Sequence, residues 1–162
     1  MNPLLRKTLE PAVEFVSLAH QPQWLMDIVQ WHQQQWPHES LQQRTHKLEQ
    51  HLEAEPFPTT LVALEDGRLV GSISVVCYQR LGGLAPSHWL ANAFVVPEFR
   101  CRGVGAQLVC AGEAYAREQG LSELYLYATD RVSFYQKLHW YSLKQKRFKG
   151  ELATIMRRDW SL

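Results

Sequence analysis

Residues 88–129 constrain the fold more than any other stretch of the chain. HWLANAFVV (88–96) reads as a strand stopped by Pro97. VGAQLVCAGEAYAREQ (104–119) places Leu108, Ala111 and Tyr115 on one helical face, and Gly120 stands where a C′ glycine belongs. ELYLYAT (123–129) is β-rich again. A strand, a helix and a second strand in this order form a parallel pair joined by a right-handed crossover. The helix needs a sheet to lie on, so the remaining elements must supply one.

They do so mostly with antiparallel signals. VEFVSLA (13–19) is a first strand, PQWLMDIVQWHQQQW (22–36) a helix ended by Pro37, and SLQQRTHKLEQHL (40–52) a second helix with Ser40 as its N-cap. EAEPFP (53–58) connects to two strands within 59–78, joined at Asp66-Gly67, a strong hairpin signal. Asp130 is placed to cap a short helix over 131–138. Strands 141–148 and 151–156, turned at Lys149-Gly150, close the order. The expected class is mixed α/β (an α+β mixed sheet), built as a single domain over 1–162.

Composition narrows the function. The formal net charge is +1, which argues against a nucleic-acid partner. Three cysteines, Cys77, Cys101 and Cys110, form no Cys-x-x-Cys pair and fit a reducing compartment. The N-terminal residues lack the apolar run of a signal peptide, and no run suits a membrane span. A cytoplasmic protein without membrane contact is expected. None of the seven histidines stands at metal-ligand spacing from a cysteine or an acid, so no metal is expected.

The informative turn is Arg100-Cys101-Arg102-Gly103-Val104-Gly105-Ala106, between the strand and the long helix. The first amides of a helix have no internal partner. No Ser, Thr, Asp or Asn lies between Val96 and Gln107 to cap them. The helix dipole and two arginines add positive charge at the same point. This is a cradle for an anion such as a phosphate or diphosphate. A P-loop is excluded, because Ala106-Gln107 stands where Lys-Ser/Thr is required. The dinucleotide pattern is excluded too, since Leu108 replaces its third glycine.

Arg100-x-x-Gly103-x-Gly105-Ala106, following Val95-Val96-Pro97, resembles the acyl-CoA diphosphate motif of the GNAT superfamily of N-acetyltransferases. Phe134-Tyr135-Gln136-Lys137-Leu138-His139-Trp140 is similar to that superfamily's second signature, about 30 residues on. The resemblance covers residues 59–158, and the first 58 residues only by element order. It implies a mostly antiparallel central sheet with one parallel β-α-β crossover and helices on both faces. It implies acetyl-CoA as co-substrate and a primary amine, small molecule or peptide, as acceptor. The acetyl group would pass by direct attack through a tetrahedral intermediate.

By the same resemblance, Ala93, Phe94 and Val95 pair with the pantetheine arm like an added strand. The amides from Cys101 to Ala106 (Cys101, Arg102, Gly103, Val104, Gly105, Ala106), with Arg100, hold the diphosphate. Tyr135 matches the residue that protonates the leaving thiolate. The base is either His88 or solvent. His88 has an unperturbed pKa of about 6.5, and simple alternation places it on one face with Leu90, Asn92 and Phe94. The glutamate used by several members is replaced here by Tyr127. Ala128 replaces a CoA-contacting asparagine, with Thr129 or Asp130 as its substitute, and His139 replaces a glycine suited to a left-handed turn. The acceptor site is expected between the first two helices and the loop at 79–87, with Asn92 and Trp36 as substrate contacts. The closing strands offer a homodimer surface. A non-catalytic acyl-CoA-binding module would carry the same cradle, and a phosphate-binding enzyme unrelated to CoA would carry its first half.

Overall fold

The computed structural model describes residues 13–53, 56–79, 82, 84–148 and 150–160. The N-terminal residues 1–12, part of the connector (54 and 55), part of the loop expected at the acceptor site (80, 81 and 83) and Lys149 of the closing turn lie outside the described residues.

The chain runs β1 (Val13–Ser17), α1 (Leu25–Gln35), α2 (Leu41–Glu53), β2 (Thr59–Glu65), β3 (Arg68–Tyr78), β4 (Ser87–Val95), α3 (Val104–Glu118), β5 (Glu123–Ala128), α4 (Val132–Lys137), β6 (Tyr141–Phe148) and β7 (Glu151–Asp159). The seven strands form one sheet in the order β1-β2-β3-β4-β5-β7-β6. Every neighbouring pair is antiparallel except β4–β5, the expected parallel crossover around α3.

Local chemistry explains most element ends. Asp66 and Gly67 both take positive φ, 49° and 76°, which a two-residue turn between right-twisted strands requires. Ser40 Oγ accepts from the Gln43 amide while Gln43 Oε1 accepts from the Ser40 amide, both at 3.1 Å. That reciprocal pair is a capping box for α2. At the end of α3 the Leu121 amide donates to the Ala116 carbonyl and the Gly120 amide to Arg117, both at 3.0 Å, the Schellman arrangement. The first helix begins later than its sequence suggests, because Pro22–Trp24 forms a separate 3₁₀ turn. β7 runs on to Asp159 because β5 pairs with it throughout, from Glu123↔Asp159 to Ala128↔Thr154.

Helices cover both faces of the sheet. Leu108, Val109 and Ala116 of α3 pack on Leu61, Ile73, Leu90, Leu124 and Leu126. On the other face, Ile28 and Val29 of α1 and Leu48 of α2 pack on Val62 and Leu64. Alternation along β5 sends Leu124, Leu126 and Ala128 under α3 and leaves Tyr125 and Tyr127 on the α1–α2 side. No helix among the described residues is long and apolar enough to cross a membrane.

Candidate active site

β4 and β5 are joined at a single position, Trp89↔Tyr125. Beyond it both strands continue, but on their outer edges only. β4 stays paired with β3 to Gly71↔Val95, and β5 stays paired with β7 to Ala128↔Thr154. Their facing edges therefore diverge into a wedge. The wedge opens into a cleft of about 700 Å³ lined by Leu90–Val95, Leu126–Arg131, Gly105, Phe134, Tyr135 and the inner side of α1 and α2.

The divergence has a local cause. Ser74 pairs with Ala91 and Ser72 with Phe94, so Asn92 and Ala93 together oppose Ile73. Asn92 accommodates this bulge with φ 55°, a conformation asparagine tolerates better than most residues. An extra residue in one strand bends it and raises its twist.

The bulge also corrects the expected facing of β4. Trp89, Ala91 and Phe94 pair with Val76, Ser74 and Ser72, which share one face of β3. Phe94 thus lies on the α1 side, stacked on Trp31 at 4.8 Å. His88 and Leu90 pair with Cys77 and Val75 and stay on the α3 side. The His88 ring packs 4.5 Å from that of Phe57, and His88 is not among the residues lining the cleft. Asn92, Ala93, Phe94 and Val95 do line it; His88 is not brought to them.

At the start of α3, Gly103 occupies the N-cap position with φ 83° and no side chain caps the helix. Cys101, two residues earlier, also has positive φ, 62°. Val104 points into the core. Gly105 faces the cleft. A Cβ added there would lie 3.7 Å from Phe134 Cζ and 3.9 Å from Val95 Cγ2, ordinary contact distances. Neither backbone angle nor packing demands glycine at this point; what its absent side chain leaves is room beside the bare amides. Arg100 donates its Nε–H to the Val95 carbonyl at 2.9 Å and lies over the Phe94 ring, at the wide end of the wedge. Arg102 turns the other way, over Phe99, a ring it shares with Arg68. Of the two arginines, one lines the cleft. Unpaired strand edge, free helix amides, one cation and a gap at Gly105 together fit an extended chain that ends in phosphate.

The second signature forms α4. Tyr135 lines the cleft, with its ring against Phe134 at 5.1 Å and Trp140 at 6.3 Å. Burial raises the pKa of its phenol, with Asp130 acting in the same direction and Arg131 against it. Asp130 does not cap α4. Arg131 takes the N-cap position and no side chain bonds there. Asp130 instead lines the cleft. His139 adopts the left-handed conformation expected of it, φ 72°.

The α1–α2 wall brings Trp36 together with two buried histidines, His32 and His51. Trp36 follows the last turn of α1 and lines the cleft. Its carbonyl accepts from Arg44, and its ring meets His32 edge-on at 5.4 Å. His32 is 2% exposed and its Nε2 has no hydrogen-bond partner among the described residues. Burial, then Arg44 and His51, lowers its pKa to about 4. His51 of α2 contacts Thr60 Oγ1 at 2.9 Å, and Thr60 in turn meets Ser74 Oγ at 2.8 Å. Burial lowers the His51 pKa, against a backbone hydrogen bond at Thr59. The signal was in the sequence: His32 follows Ile28 by four residues and His51 follows Leu48 by three, so both fall on buried helix faces.

The description Acetyltransferase (GNAT) family matches residues 25–140. No curated protein gives a significant match. Among solved structures, an aminoglycoside 6'-N-acetyltransferase complexed with coenzyme A superposes with TM-score 0.73 at 16% identity, over 90% of this chain and 96% of the other. Naa50 of Arabidopsis thaliana, in complex with a bisubstrate analogue, CoA-Ac-MVNAL, gives 0.70 at 16% identity, over 91% and 99%. Ard1 of Thermoplasma volcanium gives 0.70 at 20% identity, over 91% and 97%. At these identities the likeness is one of fold. With more than two thirds of its length matched and a wedge between its two parallel strands, the chain belongs to the acetyltransferase (GNAT) family.

Proposed function

We propose that the protein is an acetyl-CoA-dependent N-acetyltransferase acting on a primary amine. The observation that carries this reading is the single Trp89↔Tyr125 pair, which leaves main-chain groups of β4 open beside an uncapped helix start.

Acetyl-CoA supplies the activated acyl group. Ala93, Phe94 and Val95 offer strand-edge groups to the amides of its pantetheine arm. The amides of Gly103 to Ala106 and the Arg100 guanidinium take the diphosphate. Arg100 is pre-set for this by its bond to the Val95 carbonyl. Arg102 and Cys101 serve through their main chain in that turn. Asp130 lines the cleft and takes the place of the missing asparagine contact.

The amine nitrogen attacks the thioester carbonyl carbon, the C–N bond forms and the C–S bond breaks. The departing sulfur takes a proton from Tyr135, whose raised pKa keeps it protonated at neutral pH. The proton lost by the amine passes to water in the cleft, since His88 packs against Phe57 and does not line the cleft.

A melting series with acetyl-CoA, CoA and ATP tests the cradle, and release of free thiol across a panel of amines tests transfer. Stabilisation by both CoA forms, and thiol release that depends on the amine, are expected. Stabilisation by ATP alone would refute the reading. CoA binding without turnover on any amine would favour a non-catalytic binding module.

A further inference from the structure

The narrow end of the wedge is aromatic. Trp89 lies over Tyr127 at 4.6 Å with planes 18° apart, and over Tyr125 at 5.2 Å with planes 32° apart. Both rings pack against the indole. Its N–H is fixed by a 2.9 Å bond to Ser87 Oγ, so the ring is held rather than free to rotate. Tyr78 meets it edge-on at 6.0 Å and is 50% exposed. Trp89, Tyr127 and Tyr78 all line the cleft. Sheet packing accounts for an indole between strands. It does not account for a half-exposed tyrosine standing at its edge.

The register fixes which ligand meets this floor. The wedge is closed at Trp89 and widest toward Val95, Arg100 and Gly105. A co-substrate held by its phosphates at the wide end has its reactive end beside Trp89. The acceptor must come to that end. Three carboxylates line the cleft: Glu39, Asp130 and Glu151. Asp130 follows the end of β5, and Glu151 lies beyond Thr154, the partner of Ala128, so both belong to the wide end. Glu39 is ion-paired with Lys47. Among the described residues the narrow end therefore presents the flat aromatic surface of Trp89, Tyr127 and Tyr78, with Lys47, held by Glu39, near Tyr78 and no uncompensated acid.

Resting on the transferase reading above, we propose that Trp89, Tyr127 and Tyr78 form the acceptor subsite, and that it selects a primary amine carried on a short arm from an aromatic ring. A polyamine, which needs several uncompensated anionic groups, is disfavoured. Offset or edge-on aromatic contacts add a few-fold each to binding beyond the area they bury.

The test titrates the CoA-loaded protein calorimetrically with 2-phenylethylamine, with its saturated counterpart 2-cyclohexylethylamine, and with spermidine. Two rings of the floor give an expected preference of about tenfold for the aromatic amine over the saturated one, with spermidine weaker than both. In Tyr78→Ala the preference falls to about threefold or less while CoA affinity is retained, and Trp89→Leu lowers the preference as well. Tyr78→Ala removes a half-exposed ring and leaves the fold intact even where Trp89→Leu does not. Equal binding of the matched pair, or tighter binding of spermidine, overturns the aromatic subsite while the transferase reading stands. Failure to bind CoA at all overturns both.

Discussion

Trp140 donates its indole N–H to Glu113 Oε1 at 2.8 Å. The bond ties the end of the second signature to the middle of α3, the helix that the first signature opens. Trp140 is 2% exposed and Glu113 9%, and Arg158 lies 3.7 Å from the other carboxylate oxygen. Two motifs far apart in the chain are thereby held at a fixed separation, and Tyr135, five residues before Trp140, is kept facing the cleft. Trp140→Phe removes the donor together with one ring of the buried indole. Leaving a buried carboxylate short of its partner costs about 1–3 kcal/mol, or a melting point lower by roughly 2–12 °C for a chain of this size. Calorimetric melting checks it. An unchanged midpoint would show that the bond contributes nothing to the fold.

Tyr135→Phe separates chemistry from binding. The ring contacts with Phe134 and Trp140 survive the change, so stability and CoA affinity stay close to those of the parent. Only the proton offered to the leaving sulfur is lost. The expected fall in kcat is roughly 100-fold, the lower end of general-acid effects. Thiol-release kinetics at saturating acetyl-CoA measure it, and a kcat within a factor of two of the parent rules out the acid role.

The two glycines of the cradle respond in opposite ways. Gly103 needs φ 83°, so Gly103→Ala strains the backbone by about 1–2 kcal/mol. Gly105 has ordinary helical geometry and room for a Cβ, so Gly105→Ala stabilises the free protein by about 0.5 kcal/mol. Its methyl group nevertheless occupies the space beside the bare amides. CoA binding is expected to weaken by about tenfold, as where a side chain blocks close approach of a ligand to the backbone. A variant more stable than its parent and poorer at binding CoA is the signature to look for. Titration and melting on one preparation give both readings.

Much of the cradle was legible because glycine identity encodes backbone conformation directly. Gly103, Gly120 and the Asp66-Gly67 turn each take the positive φ that local chemistry implies. The facing of β4 was not legible. Whether His88 and Phe94 share a face depends on Asn92 and Ala93 sharing one partner, Ile73, on a strand some 20 residues away in sequence. No period within β4 itself records that. Arg100 and Arg102 are likewise indistinguishable in the sequence. The position of the Phe99 ring, set by its burial against the core, draws one away and leaves the other at the cleft. The tyrosines of β5 alternate visibly with leucines, but their stacking on Trp89 follows from the single parallel pair and not from either strand alone.

The pH dependence of stability follows from His32. Its ring is buried and neutral, and its pKa falls from 6.5 to about 4 through burial first, then Arg44 and His51. In the unfolded chain the same ring takes up a proton below about pH 6.5. The unfolded state therefore binds the extra proton in the window between these values, and the folded state does not. Stability from this group is complete above pH 6.5 and declines as pH falls toward 4, by about 3 kcal/mol in all. His51, lowered in the same direction, steepens the decline. His32→Leu places an aliphatic side chain on a helix face already occupied by Ile28 and removes the titration. Urea unfolding at pH 7 and pH 4.5 should show a loss of stability in the parent that exceeds the loss in the variant by about 2–3 kcal/mol. Equal losses in the two proteins would mean that His32 is protonated in the folded state at acid pH, and that its burial beside Arg44 is not what sets the acid limit.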